Sequence, residues 1–163
     1  MTEHTTAFDQ ARFREVLGHF ATGVTIVTAM EEEVGPVGFT CQAFSALSLD
    51  PPLVVLAPSK SSTSWPKIAA AGAFCVNILE ARQEVLCRSF AVSGADKFAG
   101  VGFVRGATGA PVLEGSLAYV ECELEQIIDA GDHELVIGRV LSMGVNEGSP
   151  LLYYRSGFGS FGT

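Results

Sequence analysis

The spacing of apolar and polar residues along the chain predicts several β-strands and few helices. The clearest strand covers residues 116–128, where every second residue is apolar: Ala118, Val120, Cys122 and Leu124. The residues between them predict a solvated face, and they are Tyr119, Glu121, Glu123 and Glu125. A turn over residues 129–132 leads into residues 133–145, which we expect to return as the antiparallel partner strand.

Further apolar stretches predict five more strands and three helices. The strands cover residues 24–29, 34–40, 53–57, 74–79 and 151–154, and the 53–57 strand is apolar enough to be buried on both faces. The helices cover residues 9–20, 65–71 and 81–91. In the first helix Phe13, Val16, Leu17 and Phe20 fall on one face, and in the last Val85, Leu86 and Phe90 have the spacing of core positions. Residues 93–115 keep no period and predict a loop. This pattern favours a mainly β fold, a closed or nearly closed antiparallel barrel with flanking helices.

The composition constrains size, surface and partners. A length of 163 residues fits a single domain over residues 1–163, in which we expect 1–8 and 156–163 to be flexible tails. The 48% of hydrophobic residues predicts that a second subunit covers part of the surface, as in a homodimer. The net charge of −8 argues against nucleic acid. Neither a signal peptide nor a membrane span is predicted, so we expect a cytoplasmic protein.

Several potential motifs do not indicate a metal, catalytic or dinucleotide-binding site. The four cysteines form no C-x-x-C pair, and the three histidines have no zinc-ligand spacing, so we expect no metal site. Cys41 has no base fixed near it by sequence, and we interpret it as a small wall residue. The GFGSFG stretch near the C-terminus has the glycine spacing of a dinucleotide fingerprint, but no helix follows it, so we reject that match.

The segment from Pro36 to Trp65 contains most of the candidate binding residues. An apolar run over residues 53–57 is followed by a polar cluster: Ser59, Lys60, Ser61, Ser62, Thr63 and Ser64. Hydroxyls, one ammonium group and the free N–H groups of a helix start would suit an anion, and a phosphate is the natural candidate. The alternative is an ordinary helix cap with loop serines.

Two motifs together resemble the flavin reductase family, which has the FMN-binding split-barrel fold. The first is GFT-x-x-x-FSALSLDPPL, then a strand, then S-K-S-S-x-S-W; the second is Gly131-Asp132-His133 followed by Gly138. Asp96-Lys97-Phe98 also resembles the family. The likeness is closest to the short reductases of two-component monooxygenases. It implies a homodimeric NAD(P)H:flavin oxidoreductase that passes hydride from NADH or NADPH to FMN or FAD, and whose reduced flavin diffuses to a separate flavin-dependent monooxygenase.

The resemblance also implies site residues. Lys60, Ser61 and Thr63 would anchor the flavin phosphate. His133 would be catalytic, a donor beside the flavin and near the nicotinamide, unless its role is only structural; Asp132 would orient that imidazole or hold the turn. The implied cofactor-binding set is Gly38, Phe39, Thr40, Cys41, Gln42, Ala43, Ala57, Pro58, Ser59, Lys60, Ser61, Thr63, Ser64, Trp65, Ser89, Phe90, Asp132, His133 and Arg155.

Some points stay open at this level. Many relatives place a basic residue directly before the phenylalanine that corresponds to Phe90, whereas here Ser89 precedes it and Arg88 comes one step earlier. Phosphate binding by this helix, or by the Ser89 hydroxyl, is therefore undecided. Arg155 is either a contact for the nicotinamide cofactor or a surface arginine. Two rival functions are an oxidase of the pyridoxamine-phosphate type with bound FMN and a non-catalytic flavin-binding module.

Overall fold

A computed structural model of the protein describes residues 8–94 and 96–162. The helices are α1 (Gln10–Leu17), α2 (Trp65–Ala71) and α3 (Glu84–Phe90), and a 3-10 turn, Ala81–Gln83, precedes α3. The strands are β1 (Thr22–Gly23), β2 (Thr25–Glu31), β3 (Gly35–Cys41), β4 (Phe44–Leu49), β5 (Pro52–Leu56), β6 (Ala73–Ile78), β7 (Phe103–Arg105), β8 (Pro111–Leu113), β9 (Ala118–Ala130), β10 (His133–Val145), β11 (Leu151–Tyr154) and β12 (Gly157–Ser160). Among the described residues, no helix is long and apolar enough to cross a membrane.

Seven strands form one antiparallel sheet in the order β3-β2-β6-β9-β10-β5-β4. If the sheet were flat, its edge strands β3 and β4 would lie roughly 29 Å apart. Only Gln42 and Ala43 connect them, and this link spans at most about 11 Å between the Cα atoms of Cys41 and Phe44. The sheet must therefore curl until its two edges meet, which makes a split barrel with a seam at the β3–β4 connection.

The two faces of the curled sheet carry separate apolar cores. One core fills the barrel and includes Val27, Trp65, Phe74 and Val136. The other includes Ile26, Phe90, Leu113 and Leu151, from β2, α3, β8 and β11. Since successive strand residues point to opposite faces, β2 contributes Ile26 to one core and Val27 to the other.

Most predicted elements form. The hairpin of β2 and β3, the helix α2 and the strands β6, β10 and β11 all lie where the sequence predicted them. Helix α2 begins with a proline in its first turn and ends at Gly72, whose φ of 75° is the left-handed conformation that glycine adopts readily. The predicted partner strands β9 and β10 pair directly, from Ala130 opposite His133 to Ala118 opposite Val145.

Other predictions about secondary structure are wrong. The predicted 93–115 loop contains the β7–β8 hairpin, and residues 44–49, for which no element was predicted, form the edge strand β4. Within the predicted C-terminal tail, Gly157–Ser160 forms β12 and pairs with β11. The predicted N-terminal tail, residues 1–8, lies outside the described residues except for Phe8.

Several predicted burial positions are also wrong. Glu121, expected in water, is only 1% exposed because the β7–β8 turn covers it. Val85, expected in the core, is 80% exposed, and Cys87 is buried in the neighbouring turn of α3. Strand β5 buries Val54 and Leu56, but its other face is only partly covered. No residue of α1 is buried, so its apolar side does not pack into either core.

Candidate active site

A cleft of about 960 Å³ opens at the seam of the barrel, beside helix α1 and the loop after α3. This volume is typical of sites that enclose small molecules. The cleft gathers these residues that the sequence predicted for a cofactor site: Phe39, Thr40, Cys41, Gln42, Ala43, Ala57, Pro58, Ser59, Ser61, Thr63, Ser64, Phe90, His133 and Arg155. Residues from both motifs thus face one space.

A loop rich in hydroxyls, residues 59–64, lines one part of the cleft; we call it the hydroxyl loop. The Ser59 and Ser61 hydroxyl oxygens lie 2.8 Å apart, and the Ser62 N–H donates to the Ser59 carbonyl at 3.0 Å. The Ser62 hydroxyl accepts from the N–H of Trp65, the first residue of α2, at 3.1 Å. These bonds within the loop fix its shape, and all of its serines and its threonine line the cleft.

Lys97 is the cation that the structure places beside the hydroxyl loop. Its ammonium donates to the carbonyls of Gly38 at 3.0 Å and Phe90 at 3.1 Å, and to the Ser64 hydroxyl at 3.3 Å. Burial, together with the charge of Lys67, lowers the pKa of Lys97. Sequence reasoning did not select Lys97 as a site residue, although the Asp96-Lys97-Phe98 motif was a signal that could have identified it.

Lys60 does not reach the cleft. Its ammonium forms an ion pair with Asp129, on the far end of β9, and its backbone N–H donates to the Asp132 carbonyl at 3.0 Å. The side chain is therefore held by the β9–β10 turn, away from the hydroxyls on either side of it. This position of the side chain gives no support to the prediction that Lys60 contacts a phosphate in the cleft.

Four other predicted residues stand outside the cleft lining. The Gly38 backbone packs against Phe90, so closely that a Cβ there would meet the ring at 2.9 Å. The indole N–H of Trp65 donates to Glu134. The hydroxyl of Ser89 donates to the Leu86 carbonyl at 2.9 Å, so it is turned into its own helix and not toward the cleft. The Asp132 side chain is almost fully exposed.

His133 lies at the other part of the cleft, where β10 begins. The segment before the hydroxyl loop holds it in place, since the Glu134 N–H donates to the Pro58 carbonyl at 3.0 Å and Ser59 bridges to His133. The His133 Nδ1 lies 2.7 Å from a carboxylate oxygen of Asp132. This hydrogen bond is the main reason why the pKa of Asp132 is lowered.

The polar side chains of the strand β3 end are bonded within the protein. The Thr40 hydroxyl donates to the Cys87 carbonyl at 2.6 Å, and the Gln42 amide donates to the Thr22 hydroxyl at 2.8 Å. Burial raises the pKa of Cys41 to about 11, so its thiol stays protonated at neutral pH and is a poor nucleophile. This wall therefore presents apolar surface and backbone groups to a ligand.

Helix α1 and the segment after β11 complete the cleft, and sequence reasoning missed most of these residues. Phe13, Leu17 and Phe20, which the sequence placed on one face of the helix, line the cleft. Arg155 also lines it, with a φ of 48°, and its N–H donates to the Gly18 carbonyl at 3.1 Å. The apolar face of α1 was visible in the sequence, but its role as a wall was not.

Comparison with known proteins is consistent with this geometry. Residues 17–162 match the flavin reductase like domain family. The reductase subunit HsaB of a flavin-dependent monooxygenase from Rhodococcus jostii (strain RHA1) is 50% identical over 91% of this chain and 76% of its own. A flavin reductase from Pseudomonas putida is 45% identical over 96% of this chain and 92% of its own.

Solved structures show the same fold. Nitrilotriacetate monooxygenase component B from Mycobacterium thermoresistibile superposes with a TM-score of 0.91 at 45% identity, covering 94% of this chain and 87% of that one. The NADH:FAD oxidoreductase SgcE6 of Streptomyces globisporus C-1027, in complex with NAD and FAD fragments, has a TM-score of 0.88 at 35% identity, covering 94% of this chain and 93% of that one. The split barrel predicted from the sequence is confirmed, and the chain belongs to the flavin reductase family.

Proposed function

We propose that the cleft is where this flavin reductase brings a flavin and a nicotinamide ring together. The chain transfers hydride from NADH or NADPH to FMN or FAD, and it supplies the reduced flavin to a separate monooxygenase component. The observation that carries the proposal is that one cleft joins the hydroxyl loop of the first motif to the histidine of the second. Similar proteins include an "FMN reductase (NADH)" and an "NADH:FAD oxidoreductase", which supports this assignment.

The donors at the hydroxyl loop fit a flavin phosphate. An ammonium has three N–H groups, and Lys97 donates all three to the protein. Since the Ser64 oxygen accepts one of them, the Ser64 hydroxyl proton is left to donate to another group. Ser61, Thr63 and Ser64 would then hold the phosphate oxygens, while Lys97 supplies the positive charge as a positioning residue. In this proposal the positive charge near the phosphate comes from Lys97 and not from Lys60, which the sequence suggested.

The other part of the cleft suits hydride transfer. The bound flavin supplies a ring that accepts a hydride from the nicotinamide. An ionised carboxylate can only accept hydrogen bonds, so Asp132 fixes the proton of His133 on Nδ1 and orients the ring. The Nε2 atom is then the nitrogen that can meet a ligand in the cleft. In the imidazolium form, with both ring nitrogens protonated, Nε2 donates a hydrogen bond that steadies negative charge there. His133 is therefore the catalytic residue that we propose.

We expect His133→Ala to slow flavin reduction by roughly 3- to 100-fold, which is the loss of one hydrogen bond to a neutral or charged group. Flavin affinity should stay nearly intact, because the phosphate donors lie elsewhere in the cleft. The rate is measured in a single anaerobic turnover with NADH, and flavin affinity by fluorescence titration of the same variant. An unchanged rate in a well-folded variant, with only a lower melting temperature, would assign His133 a structural role.

Steady-state assays of the wild-type protein test the proposed function. Steady-state oxidation of NADH or NADPH with added FMN or FAD should be rapid, and it should require both the nicotinamide and the flavin. A bound-FMN oxidase would instead consume oxygen with an amine substrate and without a nicotinamide. A binding module would take up flavin and oxidise no NADH, which would contradict the proposal.

We also propose that the chain is a homodimer. Strand β5 pairs with β10 only from Val136 to Arg139, so that β10 continues past the end of this pairing. On that continuation Met143 and Val145 point to the same side and are 73% and 79% exposed. Apolar side chains in such a row commonly mark a surface that another protein covers.

Sedimentation at micromolar concentration should therefore give about twice the chain mass of 17.2 kDa. The double substitution Met143→Asp with Val145→Asp should shift the protein toward monomer, because two charges cannot be buried without partners. Val85→Asp, at an equally exposed apolar residue of α3, serves as the matched control and should remain dimeric. A wild-type monomer with full flavin affinity would disprove this part of the proposal.

The cytoplasm is the compartment that we propose, because NAD(P)H is supplied there. All four cysteines are free in the structure, namely Cys41, Cys75, Cys87 and Cys122. Free thiols without disulfides are typical of proteins from reducing compartments. This supports the proposed location.

A further inference from the structure

The end of the β9–β10 hairpin, residues 129–133, extends beyond the neighbouring strands of the sheet. Strand β6 pairs with β9 only as far as Glu123, and β5 pairs with β10 only from Val136 onward. Residues 129–132 are all exposed, so no buried apolar side chain fixes this end of the hairpin. The position of His133 in the cleft therefore depends on polar links between the end of the hairpin and other segments.

The hydroxyl loop supplies three of these links, and two of them come from Lys60. The Lys60 N–H donates to the Asp132 carbonyl at 3.0 Å, and its ammonium pairs with Asp129 on the other side of the β9–β10 turn. We call these two bonds of Lys60 the clamp. The third link is the bridge between Ser59 and His133. Lys60 thus holds the turn on both sides, next to the histidine, although it does not itself line the cleft.

The clamp also supports the hydrogen bond between Asp132 and His133. The Asp132 side chain is almost fully exposed, so this bond can hold the imidazole steady only if the turn that carries Asp132 is itself fixed. The pKa of Asp132 is lowered mainly by its hydrogen bond with His133, and the charge of Lys60 adds to this effect. Lys60 therefore acts on Asp132 both through the backbone of the turn and through its charge.

We propose that Lys60 is a positioning residue for His133, because the clamp ties the β9–β10 turn to the hydroxyl loop and so fixes where the imidazole meets the cleft. A displacement of about 1 Å at a reacting group is enough to slow a reaction considerably, so even an exposed ion pair matters when it sets such a position. The inference rests on the proposed function, in which His133 assists hydride transfer. The clamp itself is a feature of the fold and can be measured without turnover.

The first test measures flavin reduction in a single anaerobic turnover at saturating NADH. Lys60→Met keeps the stem of the side chain but removes its charge, and it should slow hydride transfer roughly 2- to 5-fold, as expected for the loss of one exposed ion pair. The FMN dissociation constant should change less than about 2-fold, because Lys60 does not line the cleft. Asp129→Asn should have the same effect, and the double variant should be no slower, because all three lack the same pair. Lys60→Arg, which keeps the charge, should restore most of the rate.

Arg139→Met is the matched control for these variants. Arg139 pairs with Glu125 in the same hairpin and has 42% of its side chain exposed, against 41% for Lys60. It lies further along β10 from His133 and lines no part of the cleft, so its loss should leave hydride transfer unchanged. If Arg139→Met slows the reaction as much as Lys60→Met does, or if Lys60→Arg fails to restore the rate, Lys60 stabilises the hairpin in general and the proposal is wrong.

Amide hydrogen exchange tests the clamp without any substrate. The Glu134 N–H donates to the Pro58 carbonyl beside the clamp, and in Lys60→Met and Asp129→Asn it should exchange roughly 2- to 5-fold faster than in the wild-type protein. In Arg139→Met its exchange should not change. Unchanged exchange at Glu134 in the first two variants would overturn the proposal, even if hydride transfer were slower. Faster exchange in a protein that oxidises no NADH would support the clamp and reject the proposed function instead.

Discussion

Replacing Lys97 by Met is expected to weaken FMN binding by about 2- to 13-fold, the equivalent of losing the one hydrogen bond that Lys97 orients through the Ser64 hydroxyl. Methionine keeps the length and apolar stem of the side chain, but it cannot donate to Gly38, Phe90 or Ser64. The positive charge beside the hydroxyl loop disappears, and Ser64 loses the donor that orients its hydroxyl. Riboflavin, which lacks the phosphate, should lose much less affinity.

Lys60→Ala is the matched control for this experiment. Lys60 lies inside the hydroxyl loop, but its side chain pairs with Asp129 and does not line the cleft. Exposed ion pairs of this kind stabilise proteins by about 0–1 kcal/mol, so Lys60→Ala should change FMN affinity little. Both variants are titrated with FMN and riboflavin by fluorescence. If Lys60→Ala has the larger effect, or if Lys97→Met weakens both flavins equally, Lys97 does not serve the phosphate.

Replacing Glu121 by Ala is expected to lower the free energy of unfolding by about 2–5 kcal/mol. The Glu121 carboxylate is 1% exposed and accepts hydrogen bonds from the Thr108 N–H at 2.9 Å, the Thr108 hydroxyl at 2.8 Å and the Ala107 N–H at 3.1 Å. Alanine would leave these donors without an acceptor and would open a gap under the β7–β8 turn. Urea unfolding measures the change, and Glu123→Ala, at an exposed residue of the same strand, is the control.

The same carboxylate should make stability depend on pH. Burial tends to raise the pKa of Glu121, but the hydrogen bonds from Thr108 and Ala107 outweigh burial and lower it. A carboxylate whose pKa is lower in the folded protein stabilises the fold above its unfolded pKa of about 4.3, and this contribution is lost as the pH falls through the folded pKa. Wild-type stability should therefore fall in acid more steeply than that of Glu121→Gln. Parallel curves for the two proteins would contradict this.

Many helices and strands could be predicted from the sequence, because residues within each element determine where it begins, where it ends and which face is apolar. Helix α2 has a proline at its start and Gly72 at its end, and β9 and β10 are long enough to show their alternation clearly. The missed parts depend on contacts between distant segments. Strand β4 is an edge strand with a bulge between Ala46 and Ser48, which breaks its alternation. Glu121 alternates as a surface residue should, and only the β7–β8 turn, distant in sequence, makes it buried.

The candidate site shows the same division between local and distant information. The two motifs identified the segments that line the cleft, since each motif is a continuous stretch of sequence. They did not show which lysine faces inward, because Lys60 sits inside the hydroxyl loop and Lys97 comes from a segment 33 residues after Ser64. The apolar face of α1 could not be assigned to a cleft either, since such a pattern looks the same whether the helix covers a core or a cleft.

The seam of the barrel determines how easily the cleft can open. Strand β4 lies at the edge of the sheet and pairs only with β5, and most of its residues are exposed, whereas β9 and β10 hold each other along thirteen residues each. Local unfolding needs the fewest broken contacts at such an edge, so amide protons in β4 should exchange sooner than those in β9. The residues that line the cleft are anchored on both sides of this seam. A flavin bound there would tie the two edges together, and its departure would release the part of the barrel that fluctuates most readily, which suits a reductase whose product must leave for another protein.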